Sequence, residues 1–138
     1  MADVIARVDY YMGIIPNKVG EGARILQAFT GAGINFTGFL GYPKTARNAE
    51  VILVVEEKTL PLAGIAKKAG LALGKKQRGF FVNGEDRLGA VTEIAGKLSA
   101  AGINIVSVHA MCAGAGRYGA LVTVDSKDLR KAAKSLGV

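Results

Sequence analysis

The sequence predicts an α+β fold built from two copies of one small unit. Three observations carry that expectation. The chain matches itself at an offset of 69 positions without a gap. Strand and helix periodicities follow each other in the same order in both copies. Each amphipathic stretch ends in Gly-Ile-Asn, once in GAGINFTGF at 31–39 and once in AAGINIVSV at 100–108. Gly20 falls on Gly89, Ile25 on Ile94, Val55 on Val124 and Leu60 on Leu129. A unit this long, present twice, reads as a duplicated domain rather than a solenoid repeat. The expected boundaries are 1–69 and 70–138.

The first strand of a unit is expected at Val8 to Met12 and again at Gly79 to Val82. Both are aromatic-rich, through Tyr10-Tyr11 and Phe80-Phe81, as strands tend to be. Polar loops follow at Pro16-Asn17-Lys18 and Glu85-Asp86-Arg87. Leu88, Val91, Ile94, Ala95, Leu98 and Ala101 then recur at three and four, the signature of one apolar helix stripe. Val19, Ala23, Leu26, Phe29 and Ala32 are the first-copy counterpart. Gly33 and Gly102 supply the left-handed residue that commonly ends a helix.

A second strand is expected over Ile34 to Leu40 and Ile103 to Met111, with Asn35 and Asn104 just inside it. Glycine-rich turns, GYPKTARN and AGAGRYG, lead to a third strand. There Val51, Leu53 and Val55, or Ala120, Val122 and Val124, alternate inward. A last helix begins near Thr59 or Ser126, either of which suits an N-cap, and buries Leu60, Ala63 and Ile65, or Leu129, Ala132 and Leu136.

The order is β-α-β-β-α, a ferredoxin-like βαββαβ unit without an obvious closing strand, its antiparallel sheet covered by helices on one face. Strand-like residues precede each first strand: Asp3 to Arg7, and Leu71 to Lys75. Each is expected to close the other copy's sheet. A 69-residue unit is small for an independent core, so the copies are expected to lean on each other or on another subunit.

Composition narrows the function classes. Half of the 138 residues are hydrophobic and 21% are charged, as in globular rather than disordered chains. No apolar run approaches the roughly 20 residues a membrane helix needs. The start, MADVIARVDYY, lacks the pattern of a signal peptide. A lone cysteine, Cys112, forms no internal disulfide, which suits a reducing cytoplasm. The net charge of +7 invites an acidic partner, but the lysines are scattered and sit near helix ends, where they complement the dipole.

The runs GEDRLGAVTEIAGKLSAAGINIVSV and PNKVGEGARILQAFTGAGINFTGF resemble the ACT domain, and the resemblance covers nearly the whole chain as a tandem pair. It implies a regulatory protein that binds amino acids or related small ligands between paired domains. The family's loop is commonly Asp-x-Pro-Gly; here Leu88 and Val19 stand where the proline would be, and Gly22 weakens the first helix.

Candidate ligand residues follow from the loop before each helix. The first amides of a helix are unpaired and carry the positive end of its dipole, so they accept a carboxylate. Gly20 and Gly89 keep that approach open. Asp86 suits an ammonium, and Arg87 or Lys18 adds to carboxylate binding. Asn17 and Asp86 are equally fit to cap their helices. The expected ligand-binding set is Asn17, Lys18, Val19, Gly20, Asn35, Asp86, Arg87, Leu88, Gly89, Asn104 and His109. Asn35 and Asn104 either bind ligand or close the turn.

No catalytic set, metal site or cofactor is expected. His109 and Cys112 lack the further ligands that a metal requires. AGAGRYG joins strand to strand, unlike a dinucleotide loop, which leads from strand to helix; Arg117 and Tyr118 within it are candidates to close over a ligand. Gly38 and Gly41 suggest a bulge or close backbone approach. The expected function is a non-catalytic, amino-acid-binding regulatory protein, a homodimer or higher oligomer acting on a partner enzyme or regulator. The alternative is a nucleic-acid-binding ferredoxin-like protein, although the third strands VILVVEE and ALVTVDS lack the basic-aromatic motif of the RNA-recognition fold.

Overall fold

The computed structural model describes residues 3–56 and 61–138. Its elements are β1 (Val4–Pro16), α1 (Glu21–Gly31), β2 (Gly38–Pro43), β3 (Asn48–Glu56), α2 (Leu62–Lys68), β4 (Ala72–Leu73), β5 (Gln77–Glu85), α3 (Ala90–Ala100), β6 (Ile105–Gly114), β7 (Arg117–Val124) and α4 (Leu129–Leu136). The fold is α+β with antiparallel strand pairing and βαββαβ-like repeats, as the periodicities require. The chain divides into two compact units: Asp9–Gln77, here the first unit, and Arg78–Val138 with residues through Val8, the second.

In the first unit the strand order is β2-β3-β1, with β4 on the other side of β1. Phe39 stands opposite Leu53 and Gly41 opposite Val51. Leu73 and Ala72 pair with Gly13 and Ile14 of β1. Gly13 gives Leu71 its place there: an added Cβ would come within 2.8 Å of the Leu71 side chain and push it aside. Ile15, Ile25, Phe29, Leu53, Leu62 and Leu71 are among the residues of this unit's core.

In the second unit the order is β1-β5-β7-β6. Phe80 pairs with Val122 and Val82 with Ala120; Val108 pairs with Val122 on the other side of β7. Phe80, Val82, Ile94, Leu98, Val122 and Leu136 lie in its core, and Ile5 of β1 packs against them.

The helices form where apolar residues recur every four positions. Ala90, Ile94 and Leu98 are the buried line of α3, and Ile25 and Phe29 that of α1. This shifts the expected stripe in its first turn and in the first copy. Leu88 and Val19 precede their helices and are fully exposed, and Leu26 is 37% exposed. Ala23 is exposed as well. A helix repeats every 3.6 residues, so the line through Ile25 and Phe29 turns Ala23 and Leu26 outward.

Gly33 and Gly102 are left-handed, with φ of 77° and 73°. Their amides donate to Thr30 and Ser99, and the following Ile34 and Ile103 amides reach back to Phe29 and Leu98 at 3.0 and 2.9 Å. This is the Schellman ending, in which the residue after the glycine packs on the helix's last apolar turn. It explains why Gly-Ile appears twice. The other two helices end in the same way, through Gly70-Leu71 and Gly137-Val138.

Several boundaries differ from expectation. The second strands begin later, at Gly38 and Ile105, so Asn35 and Asn104 lie outside them and both are exposed. Ser126 is no cap: Asp125 accepts from the Lys127 amide, opening a short 3-10 turn before α4. Ala63 is exposed, whereas Leu62 and Ala66 face the core of the first unit. Thr59 and Leu60 lie outside the described residues. Val51, Leu53 and Val55 are buried, and so are Ile52 and Val54 on the opposite face of β3.

Candidate functional site

The loop between β5 and α3 forms the most developed site. Gly89 adopts φ 83° and stands at the N-cap of α3 without any side-chain cap. Asp86 is therefore not a cap, which leaves its carboxylate to other partners. Its amide donates to the Gly116 carbonyl at 2.8 Å, tying the loop to the β6–β7 turn. That turn is tight, with Gly114, Ala115 and Gly116 all at positive φ.

Asp86, Arg87 and Gly89 line one side of a groove of about 280 Å³, together with Ala90, Val91 and Thr92 of α3. Ala110, Met111 and Cys112 of β6 line the other side, with Tyr118 of β7. The amides of Ala90 and Glu93 are engaged by the Arg87 and Gly89 carbonyls. Those of Val91 and Thr92 belong to the first helical turn, which has no acceptor of its own upstream. The Cys112 thiol is exposed, and the neighbouring Asp86 carboxylate raises its pKa.

Arg87 is heavily engaged. Its Nη1 donates to Asp3 Oδ1 at 2.9 Å and to the Glu85 carbonyl at 3.2 Å; its Nη2 donates to Asp3 Oδ2 at 3.3 Å and Glu93 Oε2 at 2.8 Å. The Arg87 guanidinium holds the Asp3 carboxyl below its ordinary range. Tyr118 is 4% exposed, and its buried hydroxyl lies close to the Asp3 carboxylate. Burial, followed by the nearby Asp3 carboxylate, raises the phenol's pKa. Tyr118 is thus a floor residue, not the flap that the sequence suggested.

Among the expected site residues, Asp86, Arg87 and Gly89 come together. Leu88 projects outward at the tip of the loop. Asn104 precedes β6, away from the groove lining. His109 pairs with Leu121 and shares a face with Ser107 and Thr123, whose hydroxyl oxygens are 2.5 Å apart. The His109 Nδ1 is buried and has no partner among the described residues. In the first unit the Asn17 amide donates to the Arg47 carbonyl at 2.8 Å and its side chain to the Thr45 carbonyl at 3.3 Å. Asn17 therefore pins the loop that carries Lys18, Val19 and Gly20 to the β2–β3 turn. Asn35 borders a separate hollow with Ile34 and Phe36. Asp3, Glu93, Thr92 and Met111 carried no signal in the sequence, because they reach the site through strand order and helix phase.

Among solved structures the chain is similar to protein BT0572 from Bacteroides thetaiotaomicron, at TM-score 0.75 and 15% identity over 99% of this chain and 91% of that one. It is also similar to the regulatory subunit of aspartate kinase from Thermus thermophilus in its ligand-free form, at TM-score 0.65 and 13% identity over 98% and 94%. The chain has the ACT-type fold. Against the complete aspartate kinase of Clostridium acetobutylicum the TM-score is 0.62 at 18% identity, and the match covers 97% of this chain but 33% of the kinase. The likeness to that enzyme is thus one of fold with about a third of its chain. No protein-family model and no curated protein matches the chain.

No helix among the described residues is long and apolar enough to cross a membrane. The described residues of the ACT-type units hold no cluster of His, Cys, Asp and Glu that could bind a metal.

Proposed function

We propose that this protein is a non-catalytic regulatory module of two ACT-type domains that binds a free amino acid in the groove at the start of α3. The observation that carries the reading is that Asp86 and the first turn of α3 together line one hollow of about 280 Å³, near the lower end of small-molecule site volumes. Asp86 takes the ammonium. The Val91 and Thr92 amides take the carboxylate, aided by the helix dipole. Ala110 and Met111 meet the side chain. The wider setting is a cytoplasmic homodimer that transmits occupancy to a partner enzyme, a role supported by the fold's likeness to aspartate kinase regulatory subunits. Ligand binding needs no cofactor in this scheme, and nucleic acid is not its partner.

Thermal denaturation with each of the twenty amino acids tests the reading. A ligand that binds only the folded chain raises its melting temperature, so at least one should do so. Asp86→Ala should remove that shift and leave the ligand-free melting temperature nearly unchanged. A full response in the variant places the binding site elsewhere.

A further inference from the structure

The Asp3–Arg87 pair joins the start of β1 to the wall of the proposed groove. Asp3 immediately precedes β1, in the segment through Val8 that belongs to the second unit, and its side chain is 7% exposed. It is seated over Gly84: a Cβ at that position would come within 1.9 Å of Asp3 Oδ1. Only glycine leaves room for this carboxylate to reach Arg87. Arg87 faces two hollows. One is the groove with Tyr118 and the first turn of α3. The other is bounded by Asp3, Val4, Ile5, Glu93 and Lys97. The two faces share one cation, and the buried Tyr118 hydroxyl stands close to the Asp3 carboxylate that this cation holds.

We propose that Arg87 is a latch contested by Asp3 and the ligand, so that filling the groove and docking residues 3–8 oppose each other. The inference rests on the groove being the amino-acid site. With the groove empty, the guanidinium grips Asp3 through a two-pronged contact, the strong form of carboxylate recognition. A ligand carboxylate at α3 draws the guanidinium toward itself and away from Asp3. Asp3 is then left enclosed without its cation, a costly arrangement that favours release of the segment. Glu93 keeps the company of water, its side chain being 58% exposed. The two states differ in a named contact, as coupling between sites requires, and the coupling is reciprocal.

The test uses the full chain and the twenty L-amino acids as probes, with binding measured by calorimetry and docking by amide hydrogen exchange over Val4–Val8. The amino acid giving the largest thermal shift should speed exchange in that segment of the wild type. Asp3→Asn should bind it at least about fivefold more tightly, the lower end of typical coupling. Gly84→Ala, which blocks the Asp3 seat, should act in the same direction. Binding by the wild type with unchanged or slowed exchange, and equal or weaker affinity in Asp3→Asn, overturns the latch while leaving the site intact. If no amino acid binds the wild type, the latch and the site reading both fall.

Discussion

Asp3 and Arg87 stand 84 positions apart in sequence and share two nitrogen–oxygen contacts, at 2.9 and 3.3 Å. The pairing ties the leading segment of β1 to the loop before α3, and it has a consequence in acid. Asp3 titrates below its ordinary value of 3.8, chiefly because it accepts from Arg87. A carboxyl whose folded pKa is depressed adds stability above its unfolded pKa and loses it as pH falls through the folded one. The wild type should therefore lose melting temperature more steeply than Asp3→Asn below about pH 4. Above about pH 5 the two profiles should run parallel. Matching acid limbs would show that the pair contributes nothing to folding.

Glu50 makes a comparable cluster in the first unit. It is 7% exposed and accepts from the Tyr42 hydroxyl and from Lys44 Nζ, the latter at 3.2 Å. The hydrogen bond from Tyr42, followed by Lys44, lowers its pKa, and the Tyr42 phenol is raised in turn. Glu50→Gln should cost about 1–3 kcal/mol in denaturant unfolding. Its Tyr42 should ionise at lower pH than in the wild type, read by ultraviolet absorbance.

Leu88 and Leu98 separate an exposed loop from a core. Leu98 is 0% exposed and Leu88 104%. Leu98→Ala should cost about 2–5 kcal/mol, and Leu88→Ala should stay within about 0.5 kcal/mol. Chemical denaturation of both variants decides it. A large loss at Leu88 would mean that another chain covers this loop in solution.

Gly89 and Gly22 should respond oppositely to alanine. Neither has an atom within 4 Å of an added Cβ, so space decides nothing. Gly89 holds φ 83° at the N-cap of α3, where alanine should cost about 1–2 kcal/mol. Gly22 lies inside α1, where alanine should stabilise by about 0.4–1 kcal/mol through the unfolded chain. Thermal melts of the two variants should move in opposite directions.

The sequence alone carried the α+β class, the doubled βαββα order and the helix endings at Gly33 and Gly102. These are local matters: periodicity and the left-handed tolerance of glycine act within a few residues. The same locality explains the errors. Val19 and Leu88 looked like helix residues because apolar spacing does not mark where a helix begins; the helices start two residues beyond them, at Glu21 and Ala90, after left-handed N-caps at Gly20 and Gly89. In the site, Asp86 and Gly89 were legible because the loop and the helix start are adjacent in the chain. Arg87 was legible as a cation but not as the partner of Asp3 and Glu93, and Tyr118 read as a turn residue although it is buried. Those assignments depend on β1 lying beside β5 and β7 beside β6. Strand order is a long-range choice, decided by which apolar faces bury one another rather than by any residue's own neighbours in sequence.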